Sequence, residues 1–555
     1  MKIRPALSVA VVPVLAVLLA GCDALPGPSH QLGVVTSRPA VKKPPMTLAA
    51  AIRASVDLGP AGAATTVFLS FGLKTRNAEE LAALIASGQT ISPADYASRF
   101  NPDPALVESA VKSLASNGFR ASWAGGSSLI AADGPAPAAA SLLRVAIDNY
   151  RLADGTTFYA SLDEPHIPPA IAAVTSNVSG LDNYRRARSF AVGPGGLAPT
   201  DVLAFYNIKA LRDAGLDGTG QTIVFPEIDD LPNLNDLNKF ATKFGLPSFD
   251  SVVTVKRDPA NWGTPEKPQG ETVLDLEIAH EVAPQAKLVV YLSAPDFGHG
   301  DRAFDQLVTD HLGSIISESL GSCEPDTPPG SRNNYASIQD RAIAQGMSHF
   351  VATGDNGAYT CGEDQPAAGS FPSTLPTVTA VGGTTVFESV QGVYYQESAW
   401  GSPLDESGGG GGASQFYGVP TYQKSVEQAA GHGFRQVPDV SADADPATGF
   451  HIIFGGKDGQ AGGTSAATPL WAATVALVNQ DLKKHGLHEA GNANPALYWM
   501  GANLAKLTPK PFHDVSGGNN LAYDALPGWD FATGWGSMDA AALDAAWIVY
   551  VKSGG

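Results

Sequence analysis

Gly462-Gly463-Thr464-Ser465-Ala466-Ala467-Thr468-Pro469-Leu470-Trp471 sets a serine among small residues at the entrance to an apolar helix, Leu470 to Val478. Glycines let another backbone approach closely, and a helix N-terminus favours the negative charge that develops during acyl transfer. Every helix start needs a cap, so the stretch alone fits a structural serine as well as a nucleophile. A base decides between them, because a serine hydroxyl is a poor nucleophile without one.

Histidine is the usual base, but neither His280, within a helical stretch, nor His299, in Asp296-Phe297-Gly298-His299-Gly300-Asp301, has the His-Gly-Thr surroundings of a subtilisin. Carboxylates offer the alternative. Gly270 to Val282 reads as a helix with Glu271 and Asp275 four residues apart, hence on one face. Two neighbouring carboxyls share a proton and their titrations separate. Such a pair can take a proton from serine at a pH where histidine is already charged. Carboxylates at this spacing also mark an ordinary solvated face, so the pair gains meaning only beside Ser465. A third piece, Val351-Ala352-Thr353-Gly354-Asp355-Asn356-Gly357, is a buried-looking strand ending in a turn. Asp355 either supports that turn or, protonated, donates to an oxyanion, as neutral carboxylic acids can. Lastly, Asp514 and Asp530, with the backbone carbonyls between them, suit a hard cation such as calcium, or plain turn chemistry.

At 555 residues the chain is too long for one ordinary core. Buried-strand runs such as Gln221 to Phe225, Leu288 to Tyr291 and Ser348 to Ala352 alternate with helical stretches, predicting an α/β domain with a parallel sheet between helices. Before it lies a small α+β unit. That unit has a strand at Thr65 to Phe71, a helix from Asn77 capped by Asn77 with Glu80, and a helix near Pro104 to Asn117. Between the two, Arg185, Arg186 and Arg188 precede a Gly-rich stretch, a natural proteolytic target. A net charge of −19 argues against nucleic-acid binding, which needs a basic patch. Lys2 and Arg4 before the apolar run Ala6 to Ala20 read as an export signal, and Leu19-Ala20-Gly21-Cys22 matches a lipoprotein box. Cys323 and Cys361 are an even pair that an oxidising compartment allows to bridge.

Taken together, the Glu-x-x-x-Asp, Gly-Asp-x-Gly, Gly-Thr-Ser-x-x-x-Pro and late Asp segments, in this order, resemble the sedolisin family of serine-carboxyl peptidases, of the kumamolisin-like kind with an N-terminal propeptide. Tyr96, Gly118-Phe119 and Gly180-Leu181 in the first unit match as well. The resemblance implies a subtilisin-like fold and an acid-active endopeptidase made as a self-processed zymogen. By carry-over, Ser465 is the nucleophile, Glu271 the general base, Asp275 its orienting partner and Asp355 the oxyanion-hole acid. One structural calcium ion falls to the Asp514 and Asp530 side chains and the Val515, Leu526 and Gly528 carbonyls. Glu227 resembles an acid that extends the relay in some members, although Leu320 stands where several carry Trp. The expected divisions are a signal with lipobox over 1–22, a Pro/Ser-rich tether over 23–46, a propeptide over 47–190 and the peptidase over 191–555. Partners are protein or peptide substrates and the chain's own propeptide as inhibitor and chaperone. A lipid on Cys22 anchors the exported precursor, and the mature enzyme is extracellular or periplasmic. Three rivals remain. A His-dependent subtilisin lacks its His motif. A glycosidase built on Glu271 and Asp275 leaves Ser465 unexplained and needs its carboxyls about 5 Å or more apart. The third is a catalytically inactive cell-surface binding protein on the same fold.

Overall fold

The computed structural model describes residues 48–153, 155–184, 192–193, 196–362, 368–388, 393–404, 406–428 and 431–554. The leader, Cys22, the tether and the three junction arginines lie outside these residues.

Strands Val253–Arg257, Lys287–Leu292, Thr222–Glu227, Ile315–Glu318, Ser348–Ala352 and Thr379–Glu388 lie side by side in parallel, in that order. Val440–Asp443 adds to Thr379–Glu388 in parallel, and Tyr394–Ala399 closes that edge in antiparallel. The alternation of side chains along a strand sends successive residues to opposite faces. Ile223, Phe225, Leu288, Val290, Ile315 and Phe350 thus join one core. Val224, Val289, Tyr291, Ile316 and Val351 join the other. Both faces are covered, which is why these strands read as continuous apolar runs.

The first core holds the helices Glu271–Val282 and Thr464–Lys484; the second holds Phe297–Asp310 and Pro329–Ala344. The chain leaves Thr222–Glu227 toward one sheet edge and returns past it to Ile315–Glu318, so strand order reverses between these neighbours. A crevice opens at the carboxyl ends of strands at such a reversal.

The N-terminal unit is a four-stranded antiparallel sheet, Arg120–Ser122, Leu129–Pro135, Thr66–Leu73 and Thr175–Ser179. Val67, Leu69 and Phe71 pack inward against Val107, Leu114 and Leu143. The alternate residues face the peptidase helices. Phe68 packs on His299 with ring centroids 4.2 Å apart, and Gly72 sits so close to Asn334 that a Cβ would fall 2.1 Å from its amide oxygen. Arg302 crosses the interface to the Leu69 carbonyl (2.8 Å) and Asp133 (2.6 Å). Asp305 accepts from Ser127 Oγ (2.6 Å) and the Ser128 amide (2.9 Å).

Two local expectations change. Asn77 does not cap its helix: it sits in the left-handed region, its amide donates to the Arg99 carbonyl, and Glu80 pairs with Arg99. The neighbouring Pro93–Phe100 helix outcompetes the capping box for both side chains. The serine-bearing helix begins at Thr464, six residues before the apolar run, with Pro469 inside it. Cys323 and Cys361 form a disulfide.

Candidate active site

Ser465 lies in the first turn of its helix and is wholly buried. The flanking glycine makes this possible: Gly463 precedes the helix at φ 105°, a region that side chains avoid. Across from it, Glu271 opens the helix Glu271–Val282, every residue of which is buried. The solvated-face reading of Glu271 and Asp275 is therefore wrong for this helix. It packs against the Thr464–Lys484 helix and the Phe450–Phe454 strand, so carboxylates one turn apart share a dry face.

The Ser465 hydroxyl donates at 3.4 Å to the Ser319 carbonyl and faces the Glu271 carboxyl, where its interaction favours the charged form of Glu271. Burial works the other way and dominates, with the charge on Asp275 next, so Glu271 stands well above the usual carboxylate range. Asp275 is pushed up to about 8 by burial, opposed by the Ser319 hydroxyl, which reaches its two oxygens at 3.0 and 2.8 Å. Ser319 also ties this group to the nucleophile's own backbone, donating at 3.2 Å to the Ser465 carbonyl. Glu227, 1% exposed at the end of its strand, is raised by burial and then by the charges of Asp275 and Glu271. Three carboxyls thus form one coupled group behind the serine.

On the other side, Asp355 follows the Ser348–Ala352 strand. Its Oδ1 accepts from the Thr464 amide (2.8 Å) and the Thr464 hydroxyl (2.9 Å). Burial pushes its pKa up to about 7 against those two bonds. Because both donors converge on Oδ1, the proton of the neutral acid belongs on Oδ2. The histidines go elsewhere: His299 Nδ1 pairs with Asp296 (2.7 Å) and His280 Nε2 meets the Pro247 carbonyl (2.7 Å).

The five proposed cation ligands come together in one loop region. Asp514 accepts the Gly528 amide at 3.0 and 3.1 Å, and Asp530 Oδ2 accepts the Leu526 amide at 2.8 Å. Both carboxylates thus close the same 526–528 turn, beside buried Val515. The donors are all oxygen, which fits a hard cation. Among the described residues no three His, Cys, Asp or Glu side chains cluster as ligands, so an ion here leans on backbone carbonyls.

Ser319 escaped the sequence reading: nothing in Ile316-Ser317-Glu318-Ser319-Leu320-Gly321 distinguishes the second serine from the first. Only the strand end turns it toward Asp275.

A buried serine facing a buried carboxyl, on a parallel α/β sheet that still carries its own N-terminal unit, defines a serine-carboxyl peptidase in zymogen form. Residues 53–184 match the Pro-kumamolisin activation domain, and residues 263–536 match the subtilase family. Kumamolisin of Bacillus sp. (strain MN-32) is 34% identical over 75% of this chain and 78% of its own. Sedolisin of Pseudomonas sp. (strain 101) is 29% identical over 91% of this chain and 90% of its own. A solved structure of Pseudomonas sedolisin, complexed with two molecules of pseudo-iodotyrostatin, superposes with a TM-score of 0.56 at 30% identity, covering 65% of this chain and 99% of that one. The chain belongs to the sedolisin family of serine-carboxyl peptidases, and its N-terminal unit is the family's activation domain.

Proposed function

We propose that this peptidase cleaves peptide bonds in acid through an acyl-enzyme on Ser465, with Glu271 as general base, Asp275 as its proton-sharing partner and Asp355 as oxyanion donor. The observation that carries this reading is the wholly buried Ser465 hydroxyl facing the buried Glu271 carboxyl. Ser465 Oγ attacks the scissile carbonyl carbon as its proton passes to Glu271. The carbonyl oxygen, gaining charge, accepts a hydrogen bond from protonated Asp355 Oδ2. Glu271 then returns the proton to the leaving amine nitrogen, the C–N bond breaks, and an ester remains on Ser465. Water then attacks the ester carbon, losing a proton to Glu271, and Glu271 returns that proton to Ser465 Oγ as the ester C–O bond breaks and the carboxylic acid leaves. Asp275, anchored by Ser319, keeps one proton shared with Glu271, and Glu227 adjoins this pair.

The sign of the pH dependence follows. Asp355 must be neutral to donate, a form populated below about 7 and lost above it. Activity falls as the medium approaches neutrality.

The activation domain ends, in this reading, between Tyr184 and Val192. Tyr184 packs on Phe158 within the N-terminal unit, centroids 4.7 Å apart. Val192–Gly193 instead pairs with Gln460–Ala461 of the peptidase. The intervening residues carry Arg185, Arg186 and Arg188, and the cut belongs there, close to the expected 190/191 boundary. The leader exports the precursor and Cys22 carries its lipid, so the cut frees the peptidase from its anchor. Asp514, Asp530 and the carbonyls of Val515, Leu526 and Gly528 would hold one calcium ion, which would supply a structural cross-link between two loops.

The decisive experiment compares purified wild-type and Ser465→Ala precursors across acidic and neutral pH on an unfolded protein substrate, with mass spectrometry of the products. Wild type is expected to peak in acid, to carry lipid on Cys22 before processing, and to yield a new N-terminus among residues 185–192. Ser465→Ala is expected to stay uncut and inactive. Self-processing by Ser465→Ala, or an optimum above about pH 7, refutes the mechanism.

A further inference from the structure

We propose that Asp229 is a positioning residue for the relay: it docks the first turn of the Glu271–Val282 helix onto the end of the Thr222–Glu227 strand and so holds Glu271 against Ser465. This rests on the reading of Glu271 as general base.

The first amides of a helix have no partner within it. The residue before this helix, Gly270 at φ 110°, has no side chain with which to cap them. Asp229, 2% exposed, arrives from the strand instead. One carboxylate oxygen accepts the Gln269 amide at 2.6 Å and the other accepts the Gly270 amide at 2.8 Å. The Asp229 carbonyl accepts the Thr272 hydroxyl at 2.6 Å. These three bonds bracket Glu271 in sequence, at two residues before it and one after. The segment leading in is stitched to the same strand end, because Glu266 exchanges backbone bonds with Ile228 (2.8 Å) and Asp230 (3.0 Å). Asp229 lies two residues beyond Glu227, so one strand end delivers an acid to the relay and fixes the helix that carries its base.

The carboxylate also bears on Glu271 electrostatically. A helix N-terminus favours a charged first-turn acid, and Asp229, whose own pKa burial raises against its bonds to the Gln269 and Gly270 amides, opposes that when ionised and so adds to what keeps Glu271 protonatable. Among the described residues, the other titratable groups facing Glu271 include Asp275 from its own helix, Glu227 from the strand end and Asp355 from the Gly354 turn. Arg257, at the end of the edge strand Val253–Arg257, is engaged by Asp230 (2.8 Å) and the Leu231 carbonyl (2.6 Å). Removing the Asp229 charge therefore lowers the pH at which Glu271 becomes a base.

The test uses full-length precursors of wild type, Glu271→Gln, Asp229→Asn and Thr272→Val. It follows self-processing on acidification, then kcat and KM against pH. Asp229→Asn is expected to lose about 10- to 100-fold in kcat, the scale of a slightly misplaced reacting group, with KM within about threefold. The acid limb of its profile is expected to move down by about half a pH unit or more. Thr272→Val, which removes one tether and no charge, is expected to lose less in kcat with an unshifted profile. Wild-type kcat and pH profile in Asp229→Asn overturn the proposal, whatever its melting temperature. If Asp229→Asn does not fold, wild-type kcat in Thr272→Val overturns it. Wild-type kcat in Glu271→Gln sinks the base assignment instead, which separates the two failures.

Discussion

Asp355 has two oxygens in different states. Oδ1 is saturated by Thr464, so all of its donor capacity lies on Oδ2, and that capacity vanishes on ionisation. An asparagine can reproduce the arrangement, with its carbonyl toward Thr464 and its NH2 toward the oxyanion, and it does not titrate. Asp355→Asn is therefore expected to lose activity in acid by less than Asp355→Ala, and to keep a larger share of its own maximum at neutral pH than wild type keeps. Alanine in the same position is expected to cost about 100- to 1,000-fold in kcat, the usual scale for a lost oxyanion donor. Rate–pH profiles of both variants check this, and an alanine variant as active as the asparagine one contradicts the donor role. At this scale the sequence was informative wherever a residue sits in a distinctive local string: Ser465 among small residues, Asp355 after an apolar strand. It was silent on Ser319 and Asp229. Their work lies in bonds to residues 44 and 40 or more positions away, and no local pattern encodes such a partner.

Among elements, the helix Glu271–Val282 was the hardest to read. Glu271, Asp275, Glu277, His280 and Glu281 make it look solvated, and only the elements that close over it, among them the Thr464–Lys484 helix, the Phe450–Phe454 strand and the 247–249 turn, bury them all. Glu277 keeps one backbone partner, the Ile453 amide at 2.9 Å, and burial drives its pKa and that of Glu281 well upward. The sheet was legible because both its faces are covered, so its strands are plain apolar runs. The cap at Asn77 was not, because an adjoining helix claims its side chain. The 514–530 loop makes its own prediction. Chelating calcium is expected to lower the melting temperature while leaving the rate at saturating substrate nearly unchanged, since a ligand of the native state stabilises by mass action. An unchanged melting curve, with no calcium found by metal analysis, removes the ion from the account.

Across the whole molecule, buried acids with raised pKa values recur: Glu227, Glu271, Asp275, Glu277, Glu281, Asp301 and Asp355. Each binds its proton more tightly folded than unfolded. Its contribution to stability is full below its ordinary value near 4 and is lost as pH rises through the folded value, about 7 for Asp355 and about 8 for Asp275 and Asp301. The Ser465→Ala precursor, which cannot digest itself, is expected to melt highest in acid and progressively lower from about pH 4 to pH 8. A melting temperature that climbs over this range contradicts the burial of these groups in their protonated form. The pairing of Val192–Gly193 with Gln460–Ala461 bears on time as well as on architecture. It pins the junction on one side, four residues ahead of Ser465, while Tyr184 pins it on the other. The eight steps between Tyr184 and Val192 span at most about 29 Å, so a cut placed there, as proposed, meets the chain's own serine at a high effective concentration. The first cut is then expected to be unimolecular, with a half-time indifferent to dilution, and a half-time that shortens as the precursor is concentrated contradicts this.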